Sequence, residues 1–411
     1  MVSIEDATAR ATKTLIISGN QATALAAKLS RVQVIAAYPI TPQTPVTEAL
    51  SEYVEKGELK AEYVTVESEH SALSVCTAAS TAGARVFTAT SGNGLAYMHE
   101  VLHWAAGSRL PLVLACVNRA VGAPWNVLND QQDSISQRDT GWVQIYARNH
   151  QEVLDSIIQA YKIAESMYVP VMVCYDGYLI SHTVAPVDVP DQQDVDRFLP
   201  PYQPQVQIDP AHPVNLNQVT LGDPRANAQG VLCHGYMEIR YLLQEALEDC
   251  RDRIKEVDRE FAVTFGRSYG GAVWGHRMDD ADVVLVAMGS LASEATVAAD
   301  VLREEGCRAG VLGLRVYRPF PKNDIREALK QARLVTVFDK NMSYGYEGAT
   351  CSDLRAALYG SGIGPAVHNY IAGIGGRDVK ARELAGAVRR SLLHIAGGEP
   401  EKGTEWLNCR I

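Results

Sequence analysis

Short apolar runs of strand length alternate with helical patterns along most of this chain, and this alternation restricts the fold more than any other feature. Strands are predicted at 15–17, 32–37, 63–66, 86–89, 112–117 and 171–175, with helices at 19–30, 68–82, 94–106 and 151–166. Such alternation predicts a mostly parallel β-sheet covered by helices on both faces. Ligands of these sheets bind beyond the carboxyl ends of the strands, so the turns after the strands are the first places to look for function.

A second block of alternation follows between residues 283 and 373. Strands are predicted at 283–288, 309–316 and 334–339, helices at 293–305 and 324–331, and a final helix and strand before residue 373. Between the blocks, residues 186–224 contain eight of the eighteen prolines and predict an extended linker, and an amphipathic helix is predicted at 236–261. A chain of 411 residues also exceeds what one hydrophobic core usually serves. We therefore predict an α/β domain at 1–185, a linker or arm at 186–235, and a helix with a smaller α/β domain at 236–411.

Composition excludes several classes of protein. A formal net charge of −10 argues against a nucleic-acid surface, and the longest apolar runs are far shorter than the roughly 20 residues that span a bilayer. No secretory signal is visible in the first residues, so cytoplasmic residence is predicted. The eight cysteines occur singly, which excludes a ferredoxin-type iron–sulfur motif or zinc ribbon and predicts ordinary reduced residues. They are Cys76, Cys116, Cys174, Cys233, Cys250, Cys307, Cys351 and Cys409.

Three short motifs stand at predicted strand ends: YPITPQTP at 38–45, ESEHSA at 67–72 and VNRA at 117–120. Their order resembles that of the alpha subunits of pyruvate:ferredoxin oxidoreductases, within the 2-oxoacid:ferredoxin oxidoreductase family. The likeness continues at 125–142, 265–271, 318–321 and 373–379, so it covers nearly the whole chain. It implies a pyrimidine-type thiamine-diphosphate-binding parallel-sheet domain, followed by a smaller α/β domain like the C-terminal domain of transketolase.

Glu69 is the predicted catalytic carboxylate. A thiamine diphosphate enzyme needs one carboxylate against the aminopyrimidine ring, and a glutamate in an apolar pocket suits this because desolvation raises its pKa. On the residues alone, a glutamate that begins a helix is equally a favourable partner of the helix dipole. The resemblance implies the catalytic role for Glu69 and none for Glu67. It also implies that the cofactor-binding residues on this chain are Tyr38, Pro39, Ile40, Thr41 and Glu69.

The carboxylate of a 2-oxoacid must also be bound, and an arginine with a nearby hydroxyl suits this. The resemblance assigns the two roles to Arg119 and Thr41. The ordinary alternatives are a surface arginine at a strand end and a threonine chosen by a proline-rich turn. Residues 38–45 contain no Lys or Arg, which predicts a monoanionic substrate, since a dianion would need a second cation.

A competing motif, His99-Glu100-Val101-Leu102-His103, fits the short zinc-hydrolase pattern H-E-x-x-H. The longer form of that pattern fails because Ala106 occupies its glycine position. The resemblance instead implies that this helix lines the cofactor domain, so no metal ligands are predicted on this chain. One departure is Gly92-Asn93, where relatives more often carry Ser-Gln, and this concerns substrate preference.

The chain contains no Gly-Asp-Gly segment of the kind that binds Mg²⁺ and the thiamine diphosphate group. It is therefore predicted to be the pyrimidine-binding half of a divided site. The resemblance implies partner subunits of beta, gamma and delta type that carry Mg²⁺ and [4Fe-4S] clusters, coenzyme A as co-substrate, and ferredoxin as electron acceptor. The predicted reaction is oxidative decarboxylation of pyruvate to acetyl-CoA and CO₂. The open alternatives are a branched-chain 2-oxoacid or 2-oxoglutarate, half of a non-redox thiamine enzyme such as a transketolase or decarboxylase component, and a non-catalytic assembly subunit.

Overall fold

The computed structural model describes residues 13–204, 211, 219–222, 235–397 and 403–410. Cys233, the first twelve residues and much of the predicted linker lie outside these residues. The first half of the chain forms β1 (Lys13–Ser18), α1 (Gly19–Leu29), β2 (Val34–Ala37), α2 (Thr44–Glu55), β3 (Glu62–Thr65), α3 (Glu69–Thr81), β4 (Val86–Thr90), α4 (Gly92–Tyr97), α5 (His99–Gly107), β5 (Val113–Asn118), α6 (Gln132–Ile135), β6 (Val143–Tyr146), α7 (His150–Met167), β7 (Val171–Asp176), β8 (Val184–Val189) and α8 (Gln192–Phe198).

The second half forms α9 (Tyr236–Phe265), β9 (Val273–His276), β10 (Val283–Met288), α10 (Gly289–Glu304), β11 (Ala309–Leu314), β12 (Val316–Arg318), α11 (Lys322–Leu329), β13 (Leu334–Asp339), α12 (Ala349–Leu358), β14 (Ala366–Ile371), α13 (Ala381–Ala396) and β15 (Glu405–Trp406). A 3₁₀ turn at Ile374–Gly376 precedes α13. No helix in the described part of the chain is long and apolar enough to cross a membrane.

The first sheet has the strand order β12-β6-β7-β5-β4-β2-β3, and all its pairs are parallel except β12 with β6. Every residue of β4, β5 and β7 is buried, as expected for strands covered by helices on both faces. Because the six parallel strands run the same way, the turns after β2, β4 and β5 meet at one edge. The α/β class and the parallel sheet predicted from the sequence are confirmed.

The second sheet has the order β15-β14-β13-β10-β11-β9, with β9 antiparallel to β11 and the other pairs parallel. It corresponds to the predicted second α/β block. One difference concerns the strand predicted at 309–316, which ends at Leu314. Residues 316–318 leave that sheet and form β12, which pairs with β6 at the edge of the first sheet. The second block thus contributes a strand to the first sheet.

The predicted linker is wrong for its first part. Residues 184–189 form β8, which pairs antiparallel with β1 in a separate two-stranded sheet, so β1 lies outside the main sheet. Residues 192–198 form α8, and the ring of Phe198 packs edge-on against Phe261 of α9 at 5.3 Å between centroids. Burial of Val187, Val195 and Phe198 explains why this segment folds despite its prolines. The division into 1–185, 186–235 and 236–411 stays a prediction.

Other differences are local. The helix predicted at 94–106 is divided at Met98 into α4 and α5, and the short strand β6 and helices α2 and α13 were not predicted. The strand β6 has only four residues, and its neighbours in sequence are turns, so periodicity gives little signal there.

A buried network joins the two halves of the chain. Arg315 is fully buried and its guanidinium donates to Glu152 at 3.0 Å, with further hydrogen bonds to the carbonyl of Gly271 and the side chains of Ser156 and Gln159. Burial raises the pKa of Glu152, and the neighbouring arginines oppose this. Because both charged groups are removed from water, their mutual attraction offsets part of the cost of burying them.

The motif at 265–271 belongs to the same interface. Arg267 makes two hydrogen bonds to the buried carboxylate of Asp155, at 2.7 and 2.9 Å. Tyr269 donates its hydroxyl proton to the same carboxylate. Asp258 accepts from the hydroxyl of Ser268 and from backbone N–H groups of the motif. Residues 265–271, which carry part of the resemblance, therefore connect α7 to the second half of the chain and lie outside the candidate site.

Replacement of Arg315 by Met is expected to lower the free energy of unfolding by about 3–5 kcal/mol, because it leaves Glu152 buried without its main partner. The urea midpoint of the purified chain measures this. Arg389→Met, which breaks an exposed pair with Glu305, is the matched control and should cost less than about 1 kcal/mol. Combining Arg315→Met with Glu152→Gln should recover part of the loss. Equal midpoints for the two arginine variants would contradict the prediction.

Candidate active site

The candidate site lies at the carboxyl ends of β2, β4 and β5, where three turns meet. Hydrogen bonds from two side chains hold the proline-rich turn after β2 in place. The amide of the buried Gln43 donates to the carbonyl of Ala89 at 2.6 Å, and that of Asn20 donates to the carbonyl of Pro42 at 2.8 Å. These bonds attach the turn to β4 and to the start of α1.

Tyr38, Pro39 and Ile40 form the part of this turn that leaves β2. The carbonyl of Ile40 accepts from the backbone N–H of Gln43 at 2.8 Å and of Thr44 at 3.1 Å, which starts α2. Pro39 is exposed, whereas Tyr38 and Ile40 are half-buried. The turn therefore presents apolar surface at the sheet edge and no cationic side chain.

Glu69 is the first residue of α3, and Ser68 caps that helix by accepting from the N–H of Ser71 at 3.1 Å. The side chain of Glu69 is buried, with a relative exposure of 7%, and no hydrogen bond to its carboxylate occurs within the described residues. Its neighbour Glu67 instead accepts from the hydroxyl of Ser71, which lowers the pKa of Glu67. Of the two carboxylates, Glu69 is the buried one, and it has no hydrogen-bond partner among the described residues.

Arg119 follows the last residue of β5 and is also buried. One guanidinium nitrogen, Nη1, donates to the carbonyl of Thr41 at 2.8 Å, while the buried Nε has no hydrogen-bond partner among the residues that the structure describes. Burial lowers the pKa of Arg119, and the charges of Asp133 and Glu69 oppose this. Thr41 itself is exposed, and it meets Arg119 through its backbone carbonyl.

Two glycines at the start of α4 bring Glu69 and Arg119 together. A Cβ atom added to Gly92 would lie 2.6 Å from Nε of Arg119. A Cβ added to Gly94 would lie 2.6 Å from Oε1 of Glu69 and 2.5 Å from Oγ1 of Thr90. All three distances are below 3.0 Å, which real Cβ atoms essentially never show, so a side chain at either glycine would have to displace these neighbours. Glu69 and Arg119 thus lie against one short stretch of backbone, and Thr41 is connected to it through its hydrogen bond with Arg119.

Asp133 is a residue of this site that sequence reasoning missed. It is fully buried, and its carboxylate accepts hydrogen bonds from the N–H groups of Gly92 and Arg119, both at 2.9 Å, and from the amide of Asn118 at 2.7 Å. Asn118 also donates to Ser134 at 2.8 Å. Burial raises the pKa of Asp133, and these hydrogen bonds oppose this. Asp133 lies in the stretch 125–142 that carries the resemblance, but its sequence gives no sign that it faces Arg119.

Several buried polar atoms at this edge have no partner in the described part of the chain. They are Oγ1 of Thr90, Oγ of Ser91, Oε1 of Gln43, Oδ1 of Asn118 and Nε of Arg119. Buried polar atoms in native proteins are nearly always paired. Their concentration here, beside an unpartnered carboxylate and a backbone without Cβ atoms, fits a polar ligand that approaches the Gly92–Gly94 turn. The residues present therefore fit a bound thiamine diphosphate pyrimidine and a carboxylate substrate.

Residues of the second half of the chain make buried contacts with the loops next to the site. Lys340 is buried, and its Nζ lies 3.2 Å from the carboxylate of Asp176 and donates to Asn129 at 2.9 Å. Asn129 in turn donates to the carbonyl of Gly177, whose N–H donates to the carbonyl of Asn118. A chain of contacts therefore runs from the second sheet to the residue before Arg119.

The two later motifs of the resemblance also meet here. Asn126 donates to the carbonyl of Gly375 at 3.0 Å, and the N–H of Gly375 donates to the carboxylate of Asp130. Burial, with a smaller effect of Asp133, raises the pKa of Asp130 to about 6. A Cβ on Gly376 would lie 2.5 Å from Leu128. The stretches 125–142 and 373–379 therefore form one packed contact.

The side chains of the zinc-like motif do not form a metal site within the described residues. Nδ1 of His99 lies 2.5 Å from the amide oxygen of Gln137, and the rings of His99 and His103 contact each other edge-on. Glu100 is exposed and lies 3.6 Å from Nε2 of His70. No group of three or more potential ligands among His, Cys, Asp and Glu converges in the described part of the chain.

Comparison with known proteins assigns the family. The family model described as pyruvate flavodoxin/ferredoxin oxidoreductase, thiamine diphosphate-binding, matches residues 25–259, and that of pyruvate:ferredoxin oxidoreductase core domain II matches residues 281–384. The pyruvate synthase subunit PorA of Methanothermobacter thermautotrophicus is 46% identical over 96% of this chain and 98% of its own length. PorA of Pyrococcus abyssi is 47% identical, and the ketoisovalerate oxidoreductase subunit VorA of Pyrococcus horikoshii is 43% identical, each over the same shares.

Solved structures agree in fold. A 2-oxoglutarate:ferredoxin oxidoreductase from Magnetococcus marinus has a TM-score of 0.70 at 20% identity, with 93% of this chain and 66% of that chain covered. A split-gene transketolase has a TM-score of 0.52 at 14% identity, with 92% of this chain and 98% of that chain covered. At these identities the likeness concerns the fold alone. The family models and the nearly full-length relatives decide the assignment: the chain belongs to the pyruvate:ferredoxin oxidoreductase family.

Proposed function

We propose that this chain is the alpha-type subunit of a thiamine-diphosphate-dependent pyruvate:ferredoxin oxidoreductase. The complex oxidises pyruvate with coenzyme A to acetyl-CoA and CO₂ and passes the electrons to ferredoxin. The observation that carries this proposal is the burial of Glu69 and Arg119 against the same glycine turn. The relatives named pyruvate synthase, at 46–47% identity over nearly the whole chain, support pyruvate as the substrate.

Glu69 is the acid–base group of the site in this proposal. When bound, thiamine diphosphate supplies the carbon nucleophile and the electron sink that decarboxylation of a 2-oxoacid requires. Glu69 holds and moves the proton at the ring nitrogen of the aminopyrimidine. Its carboxylate is buried and has no hydrogen bond from the described residues, so it is available for such a partner. The turn Tyr38, Pro39, Ile40 and Thr41 contributes apolar surface and backbone groups for the same ring.

Arg119 binds the carboxylate of the 2-oxoacid, and Thr41 contributes its hydroxyl. Within the described part of the chain, the guanidinium donates one hydrogen bond, to the carbonyl of Thr41, and its buried Nε has no partner. A carboxylate is the natural partner of a buried, partly unpaired guanidinium. No Lys or Arg lies in the stretch 38–45, so the arrangement suits one negative charge on the substrate.

The rest of the active site comes from partner chains. The chain has no Gly-Asp-Gly segment, and the described residues offer no metal-ligand cluster. Subunits of beta, gamma and delta type therefore supply Mg²⁺, the diphosphate site and the [4Fe-4S] clusters, and coenzyme A enters as co-substrate. Within this chain we keep the division into a pyrimidine-type domain at 1–185, an arm at 186–235 and a transketolase C-terminal-like part at 236–411.

A branched-chain 2-oxoacid is the second candidate substrate. Relatives named ketoisovalerate oxidoreductase are 43–44% identical over the same share of the chain, only slightly below those named pyruvate synthase. The difference in identity is small, so a direct assay decides between the two substrates.

The assembled complex is expected to reduce ferredoxin with a higher kcat/KM for pyruvate than for 3-methyl-2-oxobutanoate or 2-oxoglutarate. The last of these carries a second carboxylate, for which the turn after β2 offers no cation. The isolated chain should neither oxidise pyruvate nor bind thiamine diphosphate tightly in a calorimeter. A higher kcat/KM for 3-methyl-2-oxobutanoate would show that the branched acid, and not pyruvate, is the preferred substrate. Submicromolar binding of thiamine diphosphate by the isolated chain would contradict the divided active site.

Glu69→Gln in the assembled complex is expected to lower kcat by roughly 100-fold or more, as for a positioned acid–base group. The rate of hydrogen–deuterium exchange at C2 of the thiazolium ring measures the step directly. Glu67→Gln is the matched control, because Glu67 is two residues away and exposed, and its exchange rate should stay normal. Normal exchange in the Glu69 variant would exclude the role.

Arg119→Leu removes a charge-assisted pair worth about 1.5–3 kcal/mol, so kcat/KM for pyruvate is expected to fall by about 10- to 150-fold. Thr41→Val should cost less, because a neutral hydrogen bond contributes about 0.5–1.5 kcal/mol and the backbone bond to Arg119 remains. Steady-state kinetics of the two complexes measure both effects, and exchange at C2 should survive in each. Unchanged pyruvate kinetics in Arg119→Leu would contradict the proposal that Arg119 binds the substrate carboxylate.

A further inference from the structure

Asp133 connects the two strand ends that flank the substrate side of the site. Its Oδ2 atom accepts from two backbone N–H groups at 2.9 Å, those of Gly92 after β4 and of Arg119 after β5. Its Oδ1 atom accepts from the amide of Asn118 at 2.7 Å and from the N–H of Ser134 at 2.8 Å. One oxygen atom therefore fixes the backbone of Arg119 relative to the Gly92 turn.

The turn at Gly92 also contacts the guanidinium of Arg119 directly. The ideal Cβ position of Gly92 lies 2.6 Å from Nε, 3.0 Å from Cζ and 3.1 Å from Nη2 of that side chain. Gly92 also has φ +51°, a left-handed conformation that side chains rarely adopt. The guanidinium thus packs against the turn, and its position follows from the separation that Asp133 sets.

A carboxylate is the group that this arrangement requires. Five donors converge on the two oxygens of Asp133, including the thiol of Cys116 at 3.6 Å, and an amide of the same shape would present its NH₂ group to some of them. A buried carboxylate is costly unless it is paired or fully hydrogen-bonded, and Asp133 has no cationic side chain bonded to it within the described residues. A purely apolar core residue would avoid that cost. The contribution of the carboxylate is therefore that its oxygens hold the N–H groups of Gly92 and Arg119 in place.

We propose that Asp133 is a positioning residue for substrate binding, which sets the guanidinium of Arg119 against the Gly92 turn through the shared Oδ2 atom. This inference rests on the proposed function, since it assigns to Asp133 control over the residue that binds the 2-oxoacid carboxylate. Asp133 acts through Arg119 and does not contact the substrate. Its loss should weaken substrate binding more than turnover.

The test is a double-mutant cycle in the assembled complex, with pyruvate as the substrate. Asp133→Asn should raise KM by about 10-fold or more, with a smaller change in kcat per cofactor-loaded site. In the double variant with Arg119→Leu, kcat/KM should be no lower than in Arg119→Leu alone, because Asp133 then has no guanidinium to position. Asp258→Asn is the matched control: it makes the same change in a buried, hydrogen-bonded carboxylate away from the site, and its KM should stay normal.

Gly92→Ala provides a second variant that leaves Asp133 intact. The added methyl group displaces the guanidinium directly, so KM should rise as in Asp133→Asn even if that variant assembles poorly. The inference is overturned if Gly92→Ala leaves KM normal, if Asp133→Asn lowers only the active fraction at unchanged KM, or if the effects multiply in the double variant. Normal kinetics in Arg119→Leu alone would overturn the proposed role of Arg119 in binding the substrate carboxylate. That outcome is distinct from a failure of the role proposed for Asp133.

Discussion

Two oppositely charged side chains, Glu69 and Arg119, are buried against one short turn of backbone, and the rest of the structure makes that burial possible. The turn accommodates them only because Gly92 and Gly94 lack Cβ atoms. Its position depends on β4 and β5, which are fully buried strands in the middle of the sheet. Rigid strands are a precise support for a site, because their ends are fixed by pairing on both sides. The charge of Glu69 also opposes the effect of burial on Arg119, because it raises the pKa that burial lowers.

The second half of the chain stabilises the same edge. Lys340 contacts Asp176 and Asn129, and β12 pairs with β6 of the first sheet. The buried pair of Arg315 and Glu152 connects the halves again on another face. These contacts are buried and charged, so the halves cannot separate without leaving unpaired charges in each of them. The second half of the chain therefore supports the strand ends that bear the candidate residues.

Much of the fold followed from the sequence because periodicity and strand length are local properties. The parallel sheet, the helices α1, α3 and α7 and the strands β10 and β13 were predicted within a few residues, and the family predicted from the motifs is confirmed. What failed depended on contacts distant in the chain: α8 folds because Phe198 meets Phe261, and β12 forms because β6 offers it an edge. The proximity of Glu69 and Arg119 agrees with their strand-end positions, and their catalytic roles stay predictions. Asp133 could not be found, because its importance lies in the backbone N–H groups that it bonds.

The buried carboxylates of the described residues differ in the partners that they have. Glu152 is bonded to Arg315, Asp155 to Arg267, and Asp258 to the N–H groups of Tyr269 and Gly271. Glu69 is buried to a similar degree but has no such partner within the described residues. Hydrogen bonds and ion pairs offset the cost of burying a carboxylate. The carboxylate of Glu69 has no such bond among the described residues, so it remains available for a ligand, which is what the proposed acid–base role requires.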